Sequence, residues 1–410
     1  MRASNLSPLL HKEYRLFIFM RFFYTMSVRM VGTVVAYQLF QLTRTSFSIG
    51  IVGLSEFIPV IALALYAGHI IDKSDKRSLL LKGILTYCLC IVGLVVLTAP
   101  SFSHSLLARQ LALGFYIVIF FTGVVRAFVQ PTSNAIIAQL IPKEILHLAS
   151  NISSTSWLSA SILGHASAGF FIAWFGVHYT FYIILFYCLL GAFFISRISR
   201  KPIMQKNSDM KTWDSVKEGL RFVFNHKILL SAMSLDLFAV LFGGAIALIP
   251  EYADRILKVG PIGFGWLNAS IDIGSLIIIV LITLNPIRKK QGLIQLLVIA
   301  GFGICMIAFA VSTVYWISFL ILLIAGMLDG INVVIRANIL QLTTPDTMRG
   351  RVSSVNSIFV NSSNELGQFE SGFTAKLMGT VPAVVFGGAM TLVVVLVTWV
   401  KAPGLKKFEY

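Results

Sequence analysis

The sequence predicts an all-α polytopic membrane protein, twelve transmembrane helices in two pseudo-symmetric six-helix bundles, and three observations carry that prediction. Apolar runs of about twenty residues recur throughout the 410 residues, each long enough as a helix to cross the hydrocarbon of a bilayer. Hydrophobic residues make up 57% of the chain and charged ones 12%, with a mean hydropathy of +0.85, an apolar excess that only lipid can cover. The runs fall six and six about one hydrophilic stretch, and glycines repeat between the halves.

The first run, near 15–42, follows Arg2, Lys12 and Arg15 and carries Arg21 and Arg29. It is too long for a signal-peptide core and lacks a small-residue cleavage site, so it reads as a retained span. The second, 47–71, holds Glu56 and Pro59; the third, 78–99, holds Cys88 and Cys90; the fourth, 105–130, contains Arg126. The fifth, 146–173, carries Ser154, Ser161 and His165, and the sixth, 178–198, contains Cys188. Residues 199–227, from Arg200-Lys201-Pro202 to Asn225-His226-Lys227, read as a cytoplasmic linker between a bundle of residues 1–198 and one of 228–410. In the second half, 228–250 carries Asp236, 261–284 Asp272 and 291–312 Cys305; 316–337 is the tenth run, 352–377 is a polar-striped eleventh, and 382–400 is the last.

Of the 33 Lys and Arg, about two dozen fall on the side of the termini, about four on the other side and about five within spans. The termini are therefore expected in the cytoplasm, and the net charge of +16 is the positive-inside bias of many short loops, which removes any need for a nucleic-acid partner. The four cysteines all sit inside apolar runs away from metal-type partners and read as small hydrophobes, implying neither a disulfide framework nor a metal site.

Gly164, Gly169 and Gly176 recur at one spacing as Gly367, Gly372 and Gly379, with Phe170 answering Phe373 and Pro142 answering Pro345. A second spacing pairs His11-Lys12 with His226-Lys227, Gly50 with Gly265, and Arg21 with Asp236. Each half is thus one copy of a six-span unit running in the same direction.

Between the second and third runs lies Gly68-His69-Ile70-Ile71-Asp72-Lys73-Ser74-Asp75-Lys76-Arg77. It resembles the cytoplasmic signature of the major facilitator superfamily: glycine, three residues, aspartate, a basic residue, any residue, glycine, two basic residues. Gly68, Asp72, Lys73, Lys76 and Arg77 match, while Asp75 replaces the second glycine. The resemblance implies a gate in which Asp72 pairs with Arg126 and with the helix start after Arg349-Gly350-Arg351. Tyr37 to Ser46, Arg126-Ala127-Phe128-Val129-Gln130-Pro131, Ala247 to Ala253, Val259 to Gly265 and Arg349 to Ser354 resemble the drug/proton antiporter branch that contains the enterobactin exporter and macrolide efflux proteins. The resemblance implies the major facilitator fold and a cavity between two bundles that rock against each other.

A mid-bilayer charge costs about 2.5–3.5 kcal/mol even on lenient scales, so intramembrane ionisable groups face a polar path, pair, or titrate. Those singled out are Arg21, Arg29, Glu56, Asp236, Asp272, Glu365 and Glu370. Arg21 and Asp236 hold pseudo-symmetric places and are expected to approach in one state and separate in the other, or to snorkel. Ser357, Asn361, Asn364, Glu365, Gln368 and Gly372 share a face of the eleventh span, matched on the fifth by Ser154, Ser161 and His165, and are expected to line the cavity. Glu365 and Asp272 are candidates for proton coupling or substrate contact, and Arg29 for binding an anionic substrate or holding an acid ionised.

The resulting expectation is a proton-driven exporter of a mid-sized amphiphile, siderophore or drug-like, working as a monomer in a bacterial cytoplasmic membrane. Its partners are a small-molecule substrate, protons and lipid, with the proton gradient in place of a cofactor. A lysophospholipid flippase and a siderophore importer are the alternatives within the fold. A membrane enzyme is disfavoured because zinc, Gly-x-Ser-x-Gly and phosphate-loop patterns are absent from the sequence, and a channel because it has no filter-like loop.

Overall fold

Hydrocarbon offers no partner for backbone N–H and C=O groups, so a spanning chain of this composition satisfies them along helices. A computed structural model describes residues 7–103, 105–202, 212–287, 289–345 and 348–409, and no strand occurs among them. The first half contains α1 (Lys12–Thr43), α2 (Phe47–Lys73), α3 (Lys76–Thr98), α4 (Ala108–Ile136) and α5 (Leu146–Ser196). The linker, expected only as hydrophilic chain, contains the amphipathic helix α6 (Thr212–Asn225). The second half contains α7 (Lys227–Gly243), α8 (Pro261–Leu284), α9 (Gln291–Val311), α10 (Tyr315–Thr343), α11 (Arg349–Met378) and α12 (Thr380–Lys401).

Among the described residues nine helices are long and apolar enough to cross a membrane, or ten with the pair α6 and α7, bent by 101°. Two more crossings complete the twelve. The 51 residues of α5 extend about 75 Å at 1.5 Å per residue, twice a bilayer, and Gly176 at φ 76°, ψ 170° divides them into two spans. The 30 residues of α11 are long enough to cross, and only their Ser, Asn, Gln and Glu stripe lowers the mean hydropathy.

By their contacts these helices form two compact units, Met1–Thr43 with Ile58–Ser208, and Arg44–Phe57 with Asp209–Tyr410. In the first unit α1 packs along α5, and α3 packs on both α4 and α5. In the second, α7 packs on α11 and α12, α9 on α10 and α12, and α8 on α10. The repeat read from the glycines is visible in this packing. A Cβ on Gly164 would lie 2.9 Å from the Met26 carbonyl oxygen, and one on Gly367 would lie 3.1 Å from the Leu241 carbonyl oxygen. Met26 and Leu241 are related by the spacing of the repeat starts, so both copies use the same close helix approach.

The second half of the repeat signature is conformational. Gly176 (φ 76°) and Gly379 (φ 89°), which correspond at one spacing, are the positive-φ glycines among the described residues, each at the turn between its copy's last two spans. With ψ of 170° and 164°, both occupy a region closed to side chains. Nothing lies within 4 Å of a Cβ added at Gly176, so replacement there is penalised by the backbone alone. Gly176→Ala is expected to cost about 1–3 kcal/mol, seen as a lower melting temperature in detergent; a wild-type melt would mean the turn tolerates an ordinary residue.

The first turns of α2 belong to the second unit. Gly50 and Gly53 press against α11: a Cβ at Gly53 would meet the Glu365 carbonyl at 2.7 Å, and one at Gly372 would meet the Gly50 Cα at 3.0 Å. Unit membership changes between Phe57 and Ile58, next to Pro59, whose missing N–H interrupts the helix ladder there.

Candidate functional site

The signature loop is built by a cap. Asp75 stands at φ −64°, ψ 112° as the N-cap of α3 and accepts from the Arg77 N–H at 3.1 Å, the Ser78 hydroxyl at 2.5 Å and the Lys201 N–H at 3.0 Å. The turn therefore requires no positive φ, and the departure from the signature's second glycine becomes a capping carboxylate. Arg77 donates to the carbonyls of Ser196 and, at 3.0 Å, Ile198, tying the loop to the end of α5. Lys201 in turn pairs with Glu13 at the start of α1, which also accepts from the Ser199 N–H at 3.1 Å. Lys76 is buried, and a Cβ on Gly68 would meet open space. The Asp72 side chain lies outside the described residues; Lys73 ends α2, and Arg126 is half-buried on α4. Of the other basic signature, Arg351 pairs with Glu218 of α6 at 2.7 Å, fixing the linker helix to the start of α11.

Burial pushes the Asp75 carboxyl up, but the hydrogen bonds from Ser78 and from the Lys201 and Arg77 N–H groups outweigh it and hold it below its ordinary 3.8. A carboxyl lowered in the folded state contributes stability above its unfolded value and loses it as pH falls through the folded one. Asp75→Ala is expected to lower stability by about 1 kcal/mol near neutral pH, with the gap to wild type closing below about pH 4. Melting curves across pH check this, and a gap independent of pH would contradict it.

Two sets of intramembrane groups follow, one in each unit. In the first, Arg21 Nη1 donates to Asn134 Oδ1 at 3.1 Å, linking α1 to α4. The Arg29 guanidinium carbon lies 4.9 Å from the centroid of the Trp157 ring, and Thr33 Oγ1 is 2.7 Å from His165 Nδ1, linking α1 to α5.

In the second unit Asp236, 4% exposed, forms an ion pair with Arg336, and its Oδ1 accepts from Asn332 Nδ2 at 2.5 Å. Gln295 Nε2 donates to Asn332 Oδ1 at 3.1 Å. Asp329 stands one turn before Asn332 on α10 and lines a small cavity with Asn332 and with Ala239 of α7. Three helices thus converge on one buried acid–amide–guanidinium network. Asp329, Asn332 and Arg336 were not singled out from the sequence, although their i, i+3, i+7 spacing on one helix was available as a signal.

The eleventh-span stripe is divided by its packing. Glu365 is buried and Asn364 exposed, with Asn361, Gln368 and Glu370 half-buried. Glu370 accepts from the Thr374 hydroxyl at 2.9 Å. The Gln368 and Gly372 end of the stripe serves the glycine seam with α2. Glu56, half-buried on α2, falls within the segment that belongs to the second unit.

That segment is also clamped by charge. Glu251, 8% exposed, accepts from the Ser46 hydroxyl at 2.5 Å and pairs with Arg255 at 2.7 Å. Arg255 also donates to the Arg44 carbonyl at 2.8 Å, and Arg44 pairs with Asp254 at 3.2 Å. Partners about two hundred residues apart left no sequence signal for this clamp.

Comparison with known proteins agrees with this architecture. The Major Facilitator Superfamily profile matches residues 17–368. The Bacillus subtilis uncharacterized MFS-type transporter YfiS is 22% identical over 378 residues, 88% of this chain and 85% of that protein. The multidrug resistance protein MdtG of Salmonella arizonae is 25% identical over 334 residues, 78% of each chain. Among solved structures, a D-xylose-proton symporter superposes with a TM-score of 0.72 over 99% of this chain and all of its own at 16% identity, and the POT family transporter PepTSo with 0.76 over 97% and 98% at 13%. The chain belongs to the Major Facilitator Superfamily: it is a multi-pass membrane transporter with that superfamily's twelve-helix fold, and not an enzyme.

Proposed function

We propose that this transporter exports a mid-sized amphiphilic compound, siderophore-like or drug-like, in exchange for protons by alternating access. The carrying observation is the buried network of Asp236, Arg336, Asn332 and Gln295 with Asp329 beside it. An ion pair contributes little net stability in a low-dielectric interior compared with apolar packing, so its presence among lipid-spanning helices favours a working role. With two carboxyls, Asp236 and Asp329, beside one guanidinium, a site in such surroundings can take up and release a proton as its exposure changes.

Export is the direction favoured by the multidrug resistance relatives. Glu365, Glu370 and Glu56 belong to the same unit and are the further candidates for the proton path. The chain would act as a monomer in the bacterial cytoplasmic membrane with both termini inside, powered by the proton gradient and needing no cofactor. For the gate, Asp72 and Arg126 remain the proposed pair, supported by the capped loop that precedes α3.

Proteoliposomes holding the purified protein test this with catecholate and hydroxamate siderophores, macrolides and lysolipids. One ligand class should trigger proton flux. Asp329→Asn and Glu365→Gln should each reduce that flux at least tenfold while melting within a few degrees of wild type. Ligand movement without proton flux would defeat the antiport mechanism and turn the reading toward a flippase or facilitator.

A further inference from the structure

Arg29 sits near the middle of α1, about 20 Å or more from either end of that helix and farther than any side chain extends to reach water by snorkelling. A charge at this depth is expensive unless something answers it. Among the described residues no carboxylate pairs with it. Its guanidinium instead lies over Trp157, 4.9 Å from the ring centroid.

Stacking engages the flat face of a guanidinium and leaves the N–H groups around its edge as donors. The position is also held from behind. A Cβ on Gly164 would come within 2.9 Å of the Arg29 Cβ, so the glycine makes room for the arginine. One turn on, Thr33 Oγ1 donates to the Arg29 carbonyl at 3.0 Å and lies 2.7 Å from His165 Nδ1, which fixes that ring beside the same stretch of α1. Trp157 is still 36% exposed, so part of its ring is open to contact.

The charge is not answered elsewhere in the unit. Its four acids stand outside the middle of its spans: Glu13 in the first turn of α1, Asp72 in the last turn of α2, Asp75 at the cap of α3, and Glu144 between α4 and α5. Arg21, about two turns nearer the start of α1, is met by the neutral amide of Asn134.

We infer that Arg29, Trp157 and His165 form an anion-recognition subsite, and that the ligand it takes is an aromatic organic anion. A planar group with two acidic oxygens, carboxylate or catecholate, matches the edge of a guanidinium in a bidentate fashion. The aromatic body of the same ligand covers the open part of Trp157. His165 adds a ring whose orientation is already fixed by Thr33. The inference rests on the proposed export of an amphiphile and adds the charge and aromatic character of that compound.

Equilibrium binding to the detergent-solubilised protein tests the subsite apart from proton coupling. Fluorescein and rhodamine 123 share a xanthene ring and differ in charge, and fluorescence polarisation reads both. Wild type should bind the anionic dye at least tenfold more tightly than the cationic one, and 2,3-dihydroxybenzoate should displace it. Arg29→Gln should abolish the preference by weakening fluorescein binding at least tenfold, Arg29→Lys should keep part of it, and Trp157→Leu should weaken fluorescein binding with the charge still present. If Arg29→Gln melts well below wild type, the Lys and Leu variants decide.

Equal affinity for the two dyes, no fluorescein binding up to millimolar concentration, or an unchanged preference in Arg29→Gln would each overturn the subsite. Selective anion binding without ligand-triggered proton flux would leave the subsite standing and remove the antiport reading. Proton-coupled transport with cation preference would do the reverse.

Discussion

Charge cannot be left unanswered in hydrocarbon, and the rest of this protein is arranged around that constraint. Lipid accepts the apolar faces of twelve helices, but each ionisable group placed among them needs a partner from a neighbouring helix. In the second unit the answer is local neutralisation: Asp236 meets Arg336, and the amides of Asn332 and Gln295 extend the hydrogen bonding in a chain through α7, α10 and α9. In the first unit Arg21 and Arg29 of α1 are met by an amide and an indole face, which solvate charge without cancelling it. The same ancestral six-span design therefore carries acid-rich machinery in one copy and base-rich machinery in the other.

Duplication supplies the frame on which that difference is displayed. Close backbone approach at Gly164 and Gly367 sets the first and fifth spans of each copy at the same separation, and the turns at Gly176 and Gly379 send the sixth span back in the same way. With the backbone positions fixed by glycines, the side chains at equivalent places are free to diverge. Arg21 and Asp236 do so: each reaches the fourth span of its own copy, one finding Asn134 and the other Arg336. A polar tie between first and fourth spans has been kept while its charge has been inverted.

What was legible in the sequence follows from the range of the forces involved. The helical spans and the glycine repeat depend on hydropathy and local backbone freedom, and both are visible in the fold, whereas the transfer of residues 44–57 to the second unit rests on contacts that hydropathy does not encode. The loop signature was legible too, except that Asp75 was read as a missing glycine when it is a helix cap, a role that depends on where α3 begins. The buried network was half legible. Asp236 stood out as an acid in an apolar run, whereas Arg336 was not singled out, and only its contact with α7 gives it a role. Trp157 was not singled out from the sequence, and its role depends on Arg29 lying over it in the fold. The clamp of Glu251 on Ser46 joins parts of the chain that only the tertiary fold brings together.

The clamp bears on how such a molecule can move. By sequence α2 belongs wholly to the first copy, yet its opening turns are held to the second unit by the Gly50, Gly53 and Gly372 seam and by the hydrogen bonds and ion pairs of Ser46, Glu251, Arg255, Arg44 and Asp254. Backbone seams built on glycine gain many small dispersion contacts and engage no interlocking side chains, so they separate without repacking a core. The Ser46–Glu251 contact is different in kind, because a nearly buried carboxylate that loses a hydrogen bond must regain one from water. The seam is therefore backbone laid on backbone, and the carboxylate beside it is the part of the clamp that depends on a hydrogen bond. Pro59, at the place where α2 changes allegiance, removes a rung of the helix ladder and lets the two ends follow different units. A helix interrupted at Pro59 is thus continuous in sequence with the first copy while its opening turns belong by contact to the second unit.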